Sequence, residues 1–211
     1  MTRAPGASRR ALGVVAVVLI AGGCASTSGL DIGYPAASAN RAMLGSVAPL
    51  RIGISPVVDR RLDAVRIGSA SKSGADIVTS RPVPEIVHDA LATEIGKNGH
   101  AVVTTDADAI LAAEVDEFWL DIVPGYPEIQ YVGKVAIALA VVNAHTGERL
   151  LARRYFGIRR QQAGPDAPDA AREVMDTALA RTIHDLATDR ELVAALAGLG
   201  GGASAPKSAR Q

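Results

Sequence analysis

The chain has 211 residues, with 22 lysines and arginines balanced by 22 aspartates and glutamates, so its formal net charge is zero. Residues 1–23 contain three of the arginines and no acidic residue, so the rest of the chain is slightly acidic. Because nucleic-acid-binding proteins of this size are normally clearly basic, the composition argues against nucleic acid as a partner.

Residues 1–23 have the order of residue types that is typical of a secretory signal peptide. Three arginines come first, residues 11–20 are apolar, and small residues follow up to Gly23. The apolar run is about half of the roughly 20 residues that a membrane-spanning helix needs, so we expect no permanent transmembrane helix here.

The only cysteine of the chain, Cys24, comes directly after this segment. A single cysteine cannot form an internal disulfide. A bacterial lipoprotein needs a cysteine at this place, because its thiolate is the nucleophile that accepts a diacylglyceryl group. The stretch Ala21-Gly22-Gly23-Cys24 resembles such a lipobox, with alanine where leucine is usual. The alternative is an ordinary secreted protein with a stray cysteine.

The lipobox predicts that acylated Cys24 holds the mature chain in a membrane, because two or more acyl chains anchor a protein stably. The resemblance to bacterial lipoproteins implies three acyl chains, palmitate among them. It also implies delivery to the outer membrane, since Ala25 rather than aspartate follows the cysteine. We therefore expect a lipid-anchored protein that faces the periplasm.

Composition divides the remainder of the chain into three parts. Residues 24–49 are rich in serine, alanine and glycine, which predicts a flexible tether. Residues 50–197 have a length that suits one hydrophobic core, so we predict a single α/β globular domain. Residues 198–211 cannot bury apolar surface and are predicted to be a disordered tail.

The sequence of the first half of the domain predicts a strand, a helix and a second strand. Residues 50–55 alternate as a half-buried strand does, and a long charged excursion over residues 57–81 follows. Pro82 and Pro84 suit the first turn of a helix over residues 83–98, which Gly99 ends. A short strand over residues 100–105 completes this part.

The second half predicts three strands. In residues 109–124 the apolar alternation slips by one residue near Asp116 and Glu117, which predicts a β-bulge and a partly exposed Trp119 on the face opposite Phe118. Residues 131–142 and 148–160 alternate around a turn and form a hairpin.

The return strand and two helices complete the domain. We expect the face of the strand with Phe156 and Ile158 to be buried and the face with Tyr155 to be open. A long helix is predicted over residues 167–187. A capping box over residues 188–191 then predicts a short helix through Leu196.

The predicted element order is β-α-β-β-β-β-α. This order favours the α+β class: one domain with a mostly antiparallel sheet of about four to five strands and two main helices on one face.

The order of elements resembles the YajG-like family of bacterial outer-membrane lipoproteins. The stretches that carry the resemblance are Cys24, Val58-Asp59-Arg60-Arg61, Thr79-Ser80-Arg81, the Gly99 turn, the paired strands around residues 131–142 and the C-terminal helix. The resemblance implies a lipoprotein of the cell envelope with no established enzymatic activity. The layout is also similar to that of auxiliary lipoproteins of ABC-type transport systems, which are thought to bind other envelope components.

The sequence contains none of the motifs that identify a serine hydrolase, a zinc protease or a phosphate-binding loop. Glu85 and His88 have the spacing of a metal-ligand pair on a helix, but a di-iron site needs a second pair and further carboxylates. We therefore expect no catalytic residue, metal or cofactor. A cell-wall or lipid-acting enzyme is the less favoured alternative.

Two groups of residues are candidate binding sites, because arginines bind carboxylates and phosphates in bidentate fashion. The first group lies in or beside the charged excursion: Asp59, Arg60, Arg61, Arg66 and Arg81. The second lies on the face of the return strand expected to be open: Arg153, Tyr155 and Arg159. A solvated charged surface is the alternative in both cases. The predicted function is non-catalytic binding of another envelope component, a protein or peptidoglycan, by a domain tethered to outer-membrane lipid.

Overall fold

A computed structural model of the protein describes residues 29–35, 42–69, 74–125, 127–164 and 167–200. The predicted signal peptide, Cys24 and residues 201–211 of the predicted tail lie outside the described residues.

The described elements follow the predicted order, with additional short strands. In chain order they are β1 (Arg51–Ile54), β2 (Val58–Asp59), β3 (Arg66–Ser69), β4 (Asp76–Val78), α1 (Val83–Lys97), β5 (Ala101–Val102), β6 (Ala109–Val123), β7 (Ile129–Asn143), β8 (Arg149–Ala163), α2 (Pro168–Ala187) and α3 (Arg190–Gly200), and a 3-10 turn (Met43–Ser46) precedes β1.

The strands form one eight-stranded sheet within the described part of the chain. The long strands β6, β7 and β8 are antiparallel neighbours. On the other side of β6, the short strands β1, β2 and β3 pair in parallel, and β5 and β4 lie outside β1 and β3. The predicted α+β class with a mostly antiparallel sheet is confirmed. The strands outnumber the four or five predicted because the charged excursion itself forms β2, β3 and β4.

The β-bulge in β6 is confirmed. Val115 pairs with Ile137 and Glu117 pairs with Ala136, so Asp116 is the extra residue. The extra residue changes which side chains face the core. Phe118 is consequently buried, and Trp119 on the other face is half-buried.

The helices cover one face of the sheet, as predicted. Two glycines allow α2 to approach β7 and β8 closely. A Cβ atom on Gly157 would lie 2.2 Å from the carbonyl oxygen of Ala178, and one on Gly133 would lie 2.8 Å from that of Val174. Thr182 is buried in this contact and donates to the Ala178 carbonyl over 3.0 Å.

The folded domain begins before the predicted boundary at Leu50. Ile32, Leu44 and Val47 lie in the segment predicted as a tether, yet all three are buried in the core. Leu30 forms a parallel β-bridge with Thr79. The tether prediction is therefore wrong for these described residues, because scattered apolar residues carry no periodicity that a sequence pattern could reveal.

A buried carboxylate holds this early segment on α1. Glu94 accepts a hydrogen bond of 2.5 Å from the Tyr34 hydroxyl and is paired with Lys97 over 2.7 Å. Asn98 donates to Glu94 and accepts from the backbone N–H of Ala42. Burial and the Glu94 carboxylate raise the pKa of Tyr34.

The prediction of which face of β8 is buried is wrong. Tyr155 is 1% exposed, whereas Phe156 is 47% exposed. Tyr155 is buried because its hydroxyl donates to the Asp189 carboxylate over 2.7 Å, which satisfies the polar end of the ring. Burial and Asp189 raise the pKa of this phenol.

The C-terminal helix also differs from its prediction. The Thr188 hydroxyl donates to carbonyls at the end of α2. The Asp189 carboxylate accepts the backbone N–H of Glu191 and so caps α3 in place of the predicted box. Since α3 continues to Gly200, it includes the first three residues of the predicted tail.

Candidate binding surfaces

One face of the three long strands is not covered by any described helix, and we call it the bare face. Its residues follow from the strand register, since opposed residues in an antiparallel pair point to the same side. They are Ala112, Glu114, Glu117, Trp119 and Asp121 in β6, Val132, Lys134, Ala136, Ala138 and Ala140 in β7, and Ala152, Arg154, Phe156, Ile158 and Arg160 in β8. The middle strand is therefore lined mainly by alanine, with aromatic side chains on the outer strands. Val132 and Ala136 are buried within the chain, and the other residues of the face are partly or fully exposed.

On the bare face, the acidic residues lie on one outer strand and the arginines lie on the other. Glu114 and Asp121 lie on β6, while Arg154 and Arg160 lie on β8. The register places Glu114 and Arg154 on opposite sides of Ala138 in one row. It places Asp121 and Arg160 on opposite sides of β7 in a second row. One side of the face is acidic and the other is basic.

Some of these charges are also paired within the chain. Arg154 lies 2.9 Å from Asp116 in the bulge, and Lys134 lies 2.6 Å from Asp121. Trp119 donates its indole N–H to Asp121 over 2.9 Å. These contacts hold the side chains of the bare face in defined positions.

A cleft of about 750 Å³ lies near the turn between β7 and β8, and we call it the hairpin-end cleft. Its apolar lining includes Ile54, Val102 and Ile110, and its polar rim includes His88 and His145. Clefts with an apolar floor and a few polar groups are the usual form of ligand sites.

The loop between β5 and β6 forms one wall of the cleft and is held by β1. The backbone N–H of Arg51 donates to the Asp108 carboxylate over 2.7 Å, and its guanidinium donates to the Thr105 carbonyl over 3.2 Å. Asp106 adopts a positive φ of 51° and lies 3.6 Å from Arg51. His145 lies 3.8 Å from Asp108. The wall is thus an ordered loop with a carboxylate and an imidazole on its rim.

The short edge strand β5 lies beside the cleft. The backbone N–H of Ala101 donates to the carbonyl of Leu50, just before β1, and that of Val103 donates to the carbonyl of Ile52 in β1. Because alternate residues of a strand direct their backbone groups to opposite sides, those of Val102 point away from β1. The Val102 side chain is 41% exposed and lines the cleft.

Arg61, from the first predicted site, is a structural residue. Its side chain is only 5% exposed and binds both carboxylate oxygens of Asp59, over 2.9 and 2.8 Å. It also donates to the carbonyls of Ala64 and Arg66. Arg61 therefore closes its own loop and has little surface left for a partner.

The other arginines of the first predicted site are paired on the surface. Arg60 lies 3.2 Å from Glu114, and Arg66 lies 2.5 Å from Asp63. These two pairs leave the arginine side chains partly exposed. Backbone and side-chain hydrogen bonds from Arg66 lower the pKa of Asp63. The arginines are thus matched by acidic residues of the same chain.

Arg81 is likewise paired, on α1 rather than within the loop. It lies 2.7 Å from Asp89 and lowers the pKa of that carboxyl. Each arginine of the first predicted site thus has its own carboxylate, an arrangement that favours the alternative of a solvated charged surface.

The second predicted site lies on the helix-covered face. Arg153 lies 3.2 Å from Asp189 and 3.0 Å from Glu191, and Tyr155 donates to the same Asp189. The Nε atom of Arg159 is buried and has no hydrogen-bond partner among the described residues. Arg153 and Tyr155 therefore join β8 to the start of α3.

Glu85 and His88 lie at the first turns of α1, beside a shallow pocket that also borders Asp89. His88 Nδ1 lies 3.5 Å from Asp89. Within the described ranges, no group of three or more histidine, cysteine, aspartate or glutamate side chains is arranged to hold a metal ion. No helix of the described part is long and apolar enough to cross a membrane.

Sequence reasoning missed both the bare face and the hairpin-end cleft. The cleft takes residues from β1, α1, the loop before β6 and the turn after β7, so no local pattern contains it. The bare face had a signal in the alanines at alternate positions of β7, Ala136, Ala138 and Ala140, which leave a flat surface.

The fold places this protein in the α+β class, as a domain with helices on one face of a mostly antiparallel sheet. The chain belongs to the Lipoprotein_16 family, described as uncharacterized lipoprotein, whose family model matches residues 54–197. The prediction of a bacterial lipoprotein family is thereby confirmed. Comparison with the curated proteins finds no match.

Solved structures with the same fold include the protein XCC0632 from Xanthomonas campestris, of family DUF330. It shares 15% sequence identity and a TM-score of 0.55, over 79% of this chain and 93% of that chain. At this identity the likeness bears on the fold alone.

Two looser matches are lipoproteins. The lipoprotein GNA1162 from Neisseria meningitidis has 12% identity and a TM-score of 0.36, over 54% of this chain and 85% of that chain. A minor lipoprotein from Acinetobacter baumannii has 9% identity and a TM-score of 0.42, over 68% of this chain and 92% of that chain. Structural similarity this low supports no conclusion about the present chain.

The family description names no enzymatic activity, which is consistent with a non-catalytic envelope lipoprotein.

Proposed function

We propose that this protein is an outer-membrane lipoprotein, anchored through acylated Cys24, whose periplasmic domain binds a peptide segment of another envelope component without catalysis. The anchor half of the proposal is supported by the lipobox-like stretch before Cys24 and by membership of a lipoprotein family. The narrower likeness to YajG-like lipoproteins is part of the same proposal.

The binding half is supported by one observation: the hairpin-end cleft runs beside the edge strand β5. An extended peptide can add to a sheet edge through backbone hydrogen bonds, while its alternate side chains enter adjoining pockets. The outward backbone groups of Val102 supply such an edge, and Ile54 and Ile110 line the pocket. The Asp106 carboxylate is largely exposed and favours a segment that carries an amine or a basic side chain.

Crosslinking in intact envelopes followed by affinity capture and mass spectrometry tests both halves. The native chain is compared with Cys24→Ser and Val102→Asp, and with Val65→Asp as the matched control, because Val65 is an exposed valine outside the cleft lining. We expect an acylated N-terminal peptide in every chain except Cys24→Ser. We expect a specific partner with the native chain and with Val65→Asp, and its loss with Val102→Asp.

Two results would contradict the proposal. An unmodified Cys24 in the native chain would remove the anchor, and a partner retained by Val102→Asp would remove the cleft as its site. Capture of transporter subunits would instead favour the alternative of an auxiliary lipoprotein of an ABC-type system. Turnover of a cell-wall or lipid substrate would favour an enzyme.

A further inference from the structure

We propose that a second copy of this chain covers the bare face, and that the two copies are related by a two-fold axis parallel to the strands. The surface is distinct from the hairpin-end cleft, so it does not depend on what the cleft binds. The charge pattern, the size and the surface shape of the bare face argue for this occupant.

The shape of the bare face suits another sheet. Ala138 and Ala140 form a low, partly exposed strip along β7, and Trp119 and Phe156 stand on the outer strands. Ala136 is already buried within the chain. Phe156 is the only aromatic side chain among the large apolar residues that are exposed in the described part of the chain. Sheets pack face to face by interlocking such side chains, with their strands within about 30° of each other.

The area is sufficient for a specific contact. Three strands about 4.8 Å apart and about ten residues long cover on the order of 500 Å². Two such faces together bury about 1,000 Å², which is the lower limit for a specific interface.

The charge pattern selects the axis. A two-fold axis parallel to the strands lays β6 of one copy over β8 of the other and keeps each row at the same height. Glu114 then faces Arg154 of the second copy, and Asp121 faces Arg160 of the second copy. An axis across the strands would lay acidic β6 on acidic β6, where like charges repel.

The strand β7 lies on the axis in this arrangement. Ala138 and Ala140 therefore meet their own counterparts, and their small side chains let the two sheets approach closely. Lys134 also meets its counterpart, but each ammonium is already paired with Asp121 over 2.6 Å. Arg160 is exposed and has no ion-pair partner among the described residues of its own chain, so the proposed dimer would give it one, Asp121 of the second copy.

A two-fold axis parallel to the strands is also compatible with anchoring both copies in one membrane. This argument, unlike the others, rests on the proposed function. A rotation about the strand direction leaves both copies pointing the same way, so both N-terminal segments leave at the same end. Both acyl anchors can then enter one membrane, and two linked anchors hold more firmly than one.

A photo-crosslinking phenylalanine analogue in place of the exposed Ala152 on β8 tests the proposal in the full chain within intact envelopes. The crosslinked product should have the mass of two chains, and its mass-spectrometric map should join Ala152 to β6 of the second copy, because the proposed axis lays β8 over β6. Glu114→Arg and Arg154→Glu should each lower the yield of this product about tenfold, because each places like charges together at two equivalent positions. The doubly substituted chain should recover most of it.

Recovery in the doubly substituted chain is diagnostic, because the contacts of Glu114 with Arg60 and of Arg154 with Asp116 within the chain stay broken. Exchanging Arg81 and Asp89, an exposed pair on α1, is the control and should leave the yield unchanged. Val102→Asp should also leave it unchanged, which separates this test from that of the cleft.

Three outcomes would overturn the proposal. One is a crosslink to residues 201–211 of the same chain or to a different protein. Another is the absence of a two-chain product, or a two-chain product whose map joins Ala152 to β8 of the second copy. The third is a failure of the double substitution to recover the product while thermal unfolding shows a folded chain. If a charge variant does not fold, the crosslink map of the Ala152 chain decides alone.

Discussion

Tyr155 is the side chain that decides which face of β8 meets the helices. Its ring is buried and its hydroxyl donates to Asp189, which also accepts Arg153 and caps α3. The Asp189 carboxylate thus accepts hydrogen bonds from two side chains of β8 and from the first turn of α3. These hydrogen bonds hold β8 and the start of α3 together.

Removing this hydroxyl should destabilise the domain measurably. We expect Tyr155→Phe to lower the free energy of unfolding by about 1–2 kcal/mol, because Asp189 loses a buried donor while the ring still fills its space. Urea titration followed by circular dichroism measures the change. Tyr131→Phe is a fitting control, since that hydroxyl makes only a long bond of 3.3 Å to the Gly164 carbonyl. An equal loss in both variants would contradict the role given to Asp189.

The same tyrosine makes stability depend on alkaline pH. Burial and Asp189 raise the pKa of Tyr155, so ionisation of the phenol is harder in the folded chain than in the unfolded one. The contribution of Tyr155 to the free energy of unfolding is therefore complete below about pH 10, the pKa of a tyrosine in the unfolded chain. It falls as the pH rises further. Tyr155→Phe should show a shallower fall above pH 10 than the native chain. A residual fall is expected, because the pKa of Tyr34 is raised as well.

At the scale of elements, the contact of α2 with the sheet depends on missing side chains. Gly157 faces the backbone of α2 at Ala178 and the side chain of Thr182, and no Cβ atom fits between them. The helix can lie flat on β7 and β8 only because glycine occupies this position and Gly133. Close packing of this kind tolerates little added volume.

A matched pair of glycine substitutions tests this contact. Gly157→Ala should lower the free energy of unfolding by about 3 kcal/mol, because α2 must move away from the strand. Gly96→Ala on the exposed side of α1 should instead raise it by about 0.5 kcal/mol, since a Cβ there meets nothing within 4 Å and alanine favours the helix. Thermal unfolding of both variants gives the comparison. A Gly157→Ala chain as stable as the native one would show that α2 does not pack as described.

At the scale of the whole molecule, the lipid anchor should decide where the domain is found. In Cys24→Ser the serine hydroxyl cannot replace the thiolate as the acceptor of the diacylglyceryl group, so we expect the chain to lack acyl groups. Sedimentation of broken cells should find the native chain and a Ser26→Ala control with the membranes, and mass spectrometry should find acyl groups on both. Membrane association of Cys24→Ser equal to that of the native chain would show that another part of the molecule holds it there.

The element order, the bulge at Asp116 and the helix start at Pro82 were predictable, because each is written in neighbouring residues. In the two predicted binding groups, every arginine except Arg159 has a carboxylate partner within the chain, and the tyrosine is buried. Some of these partners are close in the sequence, such as Asp59 for Arg61, but others, such as Asp189 for Tyr155 and Glu114 for Arg60, lie far away. A pattern of residue types cannot show which distant side chains meet.

The sequence by itself determined the α+β class, the order of the long elements and the lipoprotein character, because local periodicity and the residues around Cys24 carry that information. Only the tertiary structure decided which side of β8 is buried, that Ile32 and Leu44 join the core, and where the cleft and the bare face lie. The physical reason is that burial depends on the pairing of groups far apart in the chain. A hydroxyl with a buried partner can enter the core, whereas the ring of Phe156, which borders α2 only along a shallow pocket, stays half exposed.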